Sequence, residues 1–347
     1  MSFDLDNITR ENVKGLKPYS SARDEYVSDG SKMVFLDANE NPFENGVNRY
    51  PDPQQRSLKA VLAGNKGILP DNILLGNGSD EVLDLLFRAF CEPGKDNVIT
   101  LPPTYGMYQV LSGINTIENR QVLLDQDFQP NVDVILDTVD SNSKLLFLCS
   151  PNNPTGNSLS TQKIIRLLKQ FKGLVVIDEA YIDFSSKESW VSKLSEYPNL
   201  VVTQTLSKAY GMAGIRLGIC IASPAIISVL NKIKPPYNVN ELTQLKALER
   251  VSKVDEIQGE VSKILKEREK LEKALGDISF VKSIYPSDAN FILAKVDDAT
   301  LRYNQLLKKG VVVRNRTTQP LCENTLRFTV GTSEENRMLI TAMNAIL

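Results

Sequence analysis

The chain has 347 residues, 42% of them apolar and 24% charged, with a formal net charge of −2. That is the profile of a globular protein with room for more than one core; it lacks the basic stripe of a nucleic-acid binder, and apolar runs such as LLFLC and LVVI are far too short to span a bilayer. Histidine is absent, which removes a Ser-His-Asp triad, a Cys-His pair and an imidazole zinc site, and leaves proton transfer near neutral pH to a perturbed Lys, Asp, Glu, Tyr or Cys, or to a cofactor.

The N-terminal stretch MSFDLDNITRENVKG is polar and acidic and does not read as a signal peptide. From residue 70 to 230 strand-like and helix-like segments alternate. ILLGNGSDEVLDLLFRAF reads as a short strand, a glycine-rich turn and a helix with an apolar face. LLFLC at 145–149 is a buried strand followed by the loop SPNNPTGNS. STQKIIRLLKQF then places Ile164, Leu167, Leu168 and Phe171 on one helical face, with Ser160 as its cap. LVVID at 174–178, LVVT at 200–203 and LGICIA at 217–222 are further continuous apolar strands. Such runs, separated by helices, predict an α/β fold with a mostly parallel central sheet covered on both faces. KPPYNVN is a proline-broken connector, after which residues 241–275 read as one long charged amphipathic helix. The last segments, FVKSIY, NFILAKV, GVVVRNR and TLRFTV, are short strands mixed with helices. They predict a smaller α+β domain of residues 1–42 and 241–347 beside a large domain of 43–240. Cys91, Cys149, Cys220 and Cys322 form no CxxC pair and read as reduced, buried thiols of a cytoplasmic protein.

In an open α/β sheet ligands sit beyond the carboxyl ends of the strands. Asn153 follows LLFLC, Asp178 ends LVVID and Lys208 follows LVVTQTLS, so the three converge at one edge. Each alone has a plainer explanation: a cap, an ordinary Asn-Asn-Pro loop, a solvated lysine. Together they match a cofactor that needs an amine to form an imine and a buried carboxylate to keep a pyridine nitrogen protonated, which is pyridoxal phosphate. Its phosphate requires a cup. GNGSD at 76–80 opens a helix after a strand and suits an anion, although a glycine turn capped by Ser79 is the simpler alternative. Glu81 stands where a dinucleotide fingerprint needs its third glycine, and no GK[ST] follows. Thr205, Ser207 and Arg216 in TLSKAYGMAGIRLG would complete the cup.

SPNNPTG, VVIDEAY, TLSKAYGMAGIRLG and TLRFTVGT resemble the fold-type I pyridoxal-phosphate aminotransferases, and more closely the histidinol-phosphate aminotransferase family. The likeness runs through LDANENPF, NRYPDP, KPPYNVN and VVVRNRT, nearly the whole chain. It implies that Lys208 tethers the cofactor and carries the proton, Asp178 pairs with the ring nitrogen, Tyr181 and Asn153 bond the ring hydroxyl, and Tyr105 stacks on the ring. Ser79 and Asp80 would give backbone N–H groups to the phosphate beside Thr205, Ser207 and Arg216. Tyr50 would reach the cofactor of a second subunit, which implies a homodimer with shared sites. Arg327 would grip the anionic group of the substrate, with Arg314, Tyr19, Asn39 and Asn153 assisting. Read without the family, Arg327 is equally a solvated residue between Leu326 and Phe328. The implied reaction is ping-pong transamination between L-glutamate and imidazole-acetol phosphate, giving 2-oxoglutarate and L-histidinol phosphate, a step of histidine biosynthesis that needs no metal. A threonine-phosphate decarboxylase-like lyase, or an aminotransferase for aromatic or aliphatic amino acids, is the alternative. One departure stands out: the family continues its N-terminal Pro-Tyr with Pro-Gly, and this chain reads PYSSARDE.

Overall fold

The continuous apolar runs become strands buried on both faces, which is why they show no polar alternation. The computed structural model describes residues 3–18 and 33–346. Its large sheet is built from β1 (Ile73–Asn77), β2 (Asn97–Thr100), β3 (Glu118–Gln121), β4 (Ser143–Cys149), β5 (Leu174–Asp178), β6 (Leu200–Thr205) and β7 (Leu217–Ala222). The strands lie in the order β1-β7-β6-β5-β4-β2-β3. The run from β6 to β3 is parallel, and only β7 is antiparallel to its neighbours β6 and β1.

Alternate residues of the apolar strands feed two cores. On one face Leu75, Val175 and Ile177 meet α3 (Arg56–Lys66) through Leu58 and Leu62, and α7 (Thr161–Gln170) through Ile164 and Leu167. The same layer holds α9 (Glu241–Val251) through Ala247 and Val251. On the other face Leu74, Leu174 and Val176 meet α4 (Ser79–Phe90), α5 (Met107–Ile114) and α8 (Pro224–Asn231). Each fully buried aliphatic side chain is worth about 1.5–3 kcal/mol, so the doubly covered strands are the stable frame from which the loops project.

A second sheet of order β10-β11-β9-β8 comprises β8 (Val281–Ile284), β9 (Phe291–Val296), β10 (Arg314–Asn315) and β11 (Thr325–Thr329), antiparallel throughout. Its core joins Ile292, Leu326 and Phe328 to α10 (Val254–Gly276), α11 (Ala299–Lys308) and α12 (Ser333–Asn344). No helix among the described residues is long and apolar enough to cross a membrane.

The single helix expected over 241–275 is two, broken at Ser252–Lys253. Ala247 and Val251 belong to the core under the large sheet, whereas Leu271 and Leu275 belong to the core of the small one. Each half is pinned to a different body, so the chain must turn between them. The packing also favours other boundaries than 42/43 and 240/241. The short helices α1 (Leu5–Ile8) and α2 (Glu11–Lys14) sit on the large unit: Ile8 enters its core, the Arg10 N–H donates to the Ala89 carbonyl, and Arg10 pairs with Glu92 at 3.1 Å. We propose that the small unit starts within α10. Phe171 does not continue the α7 face but is its extended C-cap, still buried; Ser160 is the N-cap residue, though its side chain makes no capping bond.

Candidate active site

The carboxyl ends of β4, β5 and β6 deliver the loop holding Asn153, Asp178 itself, and the turn holding Lys208. Asp178 is buried. Tyr108 donates its hydroxyl to Oδ2 at 2.8 Å, and the Ala180 N–H donates to Oδ1 at 3.2 Å. Burial pushes this carboxyl above its usual value, and these two hydrogen bonds oppose the shift. Tyr108 is wholly buried, its ring stacked on Phe147 at 4.8 Å and set edge-on to Tyr105 at 5.6 Å.

Lys208 opens to the cleft, with Nζ 5.7 Å from the centre of the Tyr181 ring. Crowding by protein lowers its pKa, Arg327 and Arg216 lower it further, and Asp178 and Asp80 pull the other way. A larger share of the amine is therefore neutral at a given pH, the form that can act as nucleophile or base. Tyr181 is buried edge-on against Phe291, and Asn153 Nδ2 lies 3.5 Å from its hydroxyl. The Asn153 Oδ1 accepts from Arg327 Nη1. That loop is bolted to the small unit: the Asp288 N–H donates to the Gly156 carbonyl at 2.7 Å, and the Ser158 N–H to the Asp288 carboxylate at 3.2 Å.

The β1–α4 turn faces the same region. Gly78, not Ser79, is the N-cap of α4, and no side chain caps the helix. The simpler alternative for Ser79 therefore fails: this residue is the first of the helix, and the N–H groups of the first turn are left to an outside acceptor. Gly78 is left-handed (φ 79°), and a Cβ there would meet Arg216 Nη2 at 2.7 Å. A Cβ on Gly218 would lie 2.5 Å from the Gly78 carbonyl carbon and the Ser79 nitrogen. Two backbones are thus pressed together with the Arg216 guanidinium across them. The Gly78 N–H donates to the Arg216 carbonyl at 2.8 Å, and Arg216 Nη2 stands 3.9 Å from the Asp80 carboxylate. Glu81, which spoiled the dinucleotide pattern, accepts from the Asn77 N–H and, at 2.8 Å, from Asn238, tying the turn to the connector. Thr205 is buried, donates to the Leu217 carbonyl at 3.2 Å and accepts from the Ser207 N–H at 3.1 Å. Tyr105 donates to Asp80 at 3.0 Å.

Against this geometry, residues 31–343 match the family described as aminotransferase class I and II. The chain is 69% identical over 340 residues to the histidinol-phosphate aminotransferase of Flavobacterium johnsoniae, covering 98% of this chain and 97% of that one. The chain belongs to the histidinol-phosphate aminotransferase family. Among solved structures, the Clostridium acetobutylicum histidinol-phosphate aminotransferase superposes with a TM-score of 0.80 at 24% identity, over 86% of this chain and 91% of that one. The Sinorhizobium meliloti enzyme in complex with pyridoxal-5'-phosphate gives 0.78 at 22% identity, over 86% and 84%. These two likenesses speak for the fold.

Within this aminotransferase, the remaining expected residues spread more widely. Arg327 is half-buried, with its guanidinium 5.0 Å above the Phe291 ring, and burial followed by the charge of Arg316 lowers its pKa to about 10. Arg314 is directly opposite Arg327 in the ladder but is exposed. Tyr50 is half-exposed and stacks on Tyr237 at 4.5 Å; with Asn39, Arg49 and Asn240 it lines a groove of about 490 Å³. Tyr19 lies outside the described residues. Sequence reasoning missed Tyr108, whose role depends on a contact with a residue 70 positions away. It also missed Arg316, whose signal was its place two residues after Arg314 on the same strand face.

Proposed function

We propose that this chain exchanges an amino group between L-glutamate and imidazole-acetol phosphate, forming 2-oxoglutarate and L-histidinol phosphate, with pyridoxal 5'-phosphate as its cofactor. The observation that carries the reading is the pairing of a buried carboxylate, Asp178, with a lysine of depressed pKa, Lys208, at adjacent strand ends. The site fits the cofactor on its own chemistry. The uncapped N-terminus of α4 at Ser79 and Asp80, the Gly78 cradle and Arg216 make an anion cup, with Thr205 and Ser207 beside it. Asp178 would face the ring nitrogen, Asn153 and Tyr181 the ring hydroxyl, and Tyr105 the ring face.

Bound there, pyridoxal phosphate supplies an aldehyde that takes the amine and a cationic ring that spreads the charge left by the departing α-proton. The residues do the rest. Tyr108 and the Ala180 N–H donate to Asp178 and favour its ionised form against the burial that raises its pKa. Lys208 would hold the cofactor at rest, and its neutral amine, once released, would serve as the base that takes and returns the substrate's proton. Arg327 orients the substrate by its anionic group, since a guanidinium fork takes a carboxylate or a phosphate. Asn153 fixes the arginine through its Oδ1. Arg314, Asn39 and Tyr19 would assist.

The same reading proposes a homodimer. Val47, Leu242 and Tyr50 are exposed together along the groove beside Asn39, and Phe43, Leu36 and Val34 are exposed on the same N-terminal stretch. An apolar band of this kind suits a second copy, which would bring Tyr50 to its partner's cofactor. Four buried free thiols agree with a cytoplasmic setting. The test is a panel of amines added to the cofactor-loaded protein. Histidinol phosphate and glutamate should convert the aldehyde absorbance to that of the amine form in stoichiometric amount, and borohydride should fix the cofactor on the Lys208 peptide. Release of carbon dioxide from phosphothreonine, or conversion by phenylalanine alone, would overturn the assignment.

A further inference from the structure

The segment between β6 and β7 carries Ser207, Lys208 and Arg216, and α9 grips it at two backbone carbonyls. In the first turn of α9 the Thr243 hydroxyl donates to the Ile215 carbonyl, beside Arg216, at 2.9 Å. Two helical turns on, Arg250 Nε donates to the Tyr210 carbonyl at 2.9 Å. The turn that holds Lys208 is otherwise closed by its own backbone: the Gly211 N–H donates to the Lys208 carbonyl at 3.0 Å, and the Met212 N–H to the Leu206 carbonyl at 3.0 Å. The Tyr210 carbonyl points out of it and fastens it to α9.

The same guanidinium reaches across the break at Ser252–Lys253. Its Nη1 pairs with Glu256 at 2.9 Å and its Nη2 with Glu260, both on α10. All three nitrogens are in use, and the Arg250 side chain is only 15% exposed although both glutamates are partly open to solvent. Exposed ion pairs add little stability, so the value of this arrangement lies in its directions: a planar fork fixes its three partners relative to one another, as a flexible ammonium does not. Beyond the junction α10 continues the brace with apolar contacts. Val261, Ile264 and Leu265 pack on the buried cluster that contains Tyr181, Ala209 and Phe291. Ala209 follows Lys208, and Phe291 lies beneath the Arg327 guanidinium. One helix thus touches the supports of both the amine and the anion grip, and Arg250 sets its junction with the helix that holds the Lys208 turn.

We propose that Arg250 is a positioning residue: by clamping the α9–α10 junction to the Lys208 turn it fixes where the Lys208 amine stands relative to Arg327, a role that rests on the reading of this cleft as the transaminase site. Proton transfer tolerates little misplacement, and an error of about 1 Å introduced from a distance can cost about a hundredfold in rate. Arg250 acts through the turn and not on the substrate, so its loss should fall on turnover of both amines and spare their binding.

The experiment compares wild type, Arg250→Gln, Arg250→Lys, Glu256→Gln/Glu260→Gln and the triple variant with Arg250→Gln, all as cofactor-loaded protein. Single-turnover half-reactions with histidinol phosphate and with glutamate are measured beside amide hydrogen exchange of the 206–212 peptide. Arg250→Gln should slow the saturated half-reaction with either amine by about tenfold to a hundredfold, keep half-saturating concentrations within about threefold of wild type, and quicken exchange at 206–212. Arg250→Lys should resemble Arg250→Gln, because an ammonium does not hold three partners in fixed directions. Glu256→Gln/Glu260→Gln leaves the Tyr210 bond in place; it should slow both half-reactions by about threefold to tenfold and add nothing on top of Arg250→Gln, since both act through one clamp. Full recovery in Arg250→Lys, additive losses in the triple variant, or a slower half-reaction for one amine alone would overturn the proposal. So would quicker exchange at 206–212 with unaltered turnover, the signature of a tie that is structural only. If Arg250→Gln does not fold, the glutamate pair decides alone: slowed turnover with quicker exchange at 206–212 upholds the clamp, and unaltered turnover removes it. A wild type that converts neither amine would remove the functional reading, whereas exchange at 206–212 that answers to Glu256 and Glu260 only while Arg250 is present would keep the clamp, so the two failures are told apart.

Discussion

The two anion-facing edges of the cleft are built in opposite ways. At the β1–α4 turn the charge is balanced and the backbone is rigid: Arg216 faces Asp80, Gly218 is pressed against Gly78, and Glu81 locks the turn to Asn238. At the β10–β11 edge Arg314, Arg316 and Arg327 stand together, and two buried Nε atoms have no partner among the described residues. The first edge has its backbone fixed before any ligand arrives, with only the uncapped N–H groups of α4 left open, which suits the proposed resident cofactor. The second is left electrostatically short, which suits a substrate that must enter and leave, because only its arrival relieves the repulsion. In the proposed function rigidity serves the resident cofactor and unspent charge the substrate.

The largest test of that contrast is Arg327→Gln. It should lower kcat/KM for both amino donors by about 10²–10³-fold, the scale for losing one member of a desolvated charge pair. Cofactor retention should stay at the wild-type level, and the melting temperature of the cofactor-free protein should hold or rise, since a buried unpaired Nε is removed. Steady-state kinetics and dialysis against buffer read the two quantities separately. A variant that sheds its cofactor would merge the two edges into one.

Gly218→Ala probes the other edge. Its Cβ would meet backbone atoms at 2.5 Å, with no flexible side chain to yield. Overpacking of this kind costs about 1–3 kcal/mol, and here the strain falls on the turn itself. The expected outcome is a lower melting temperature and faster cofactor loss, with KM for the amines little changed once the cofactor is supplied in excess. Arg327→Gln and Gly218→Ala should thus separate cleanly; similar kinetic profiles would mean that the division between the edges is illusory.

Much of this frame was legible in the sequence. LLFLC, LVVID and LGICIA read as strands because burial on both faces leaves no polar alternation, and their carboxyl ends located Asn153, Asp178 and Lys208. What escaped had physical causes. ENRQ at 118–121 is a strand only because it pairs with β2 at the sheet edge, where polar side chains are tolerated. The break at Ser252 follows from two cores pulling on one amphipathic run, and nothing in that run's own pattern marks it. The N-terminal helices gave no sign of which body they would join. Arg314 and Arg316 occupy equivalent faces of a two-residue strand and its continuation, so pattern alone could not say which would be buried.

Tyr108 offers the smallest and most specific test, because it supports the site from below either edge. Its hydroxyl donates to a carboxyl that burial has already raised above its usual value, and that bond holds the rise in check. In Tyr108→Phe the ring packing on Phe147 persists while the donor is gone, so the Asp178 value must climb further. In the proposed function catalysis uses Asp178 in its ionised form, and the acid limb of kcat/KM should therefore move to higher pH, by about one unit for the loss of one hydrogen bond to a charged group. Well above that limb the rate should return close to wild type. Stability gives an independent reading. A carboxyl whose folded value exceeds its unfolded value binds more protons when folded, so it costs nothing below the unfolded value and destabilises progressively as pH rises through the folded one. Removing the donor enlarges that cost. The melting temperature of cofactor-free Tyr108→Phe should match wild type near pH 4 and fall below it near pH 8, whereas a purely steric defect would lower both by the same amount.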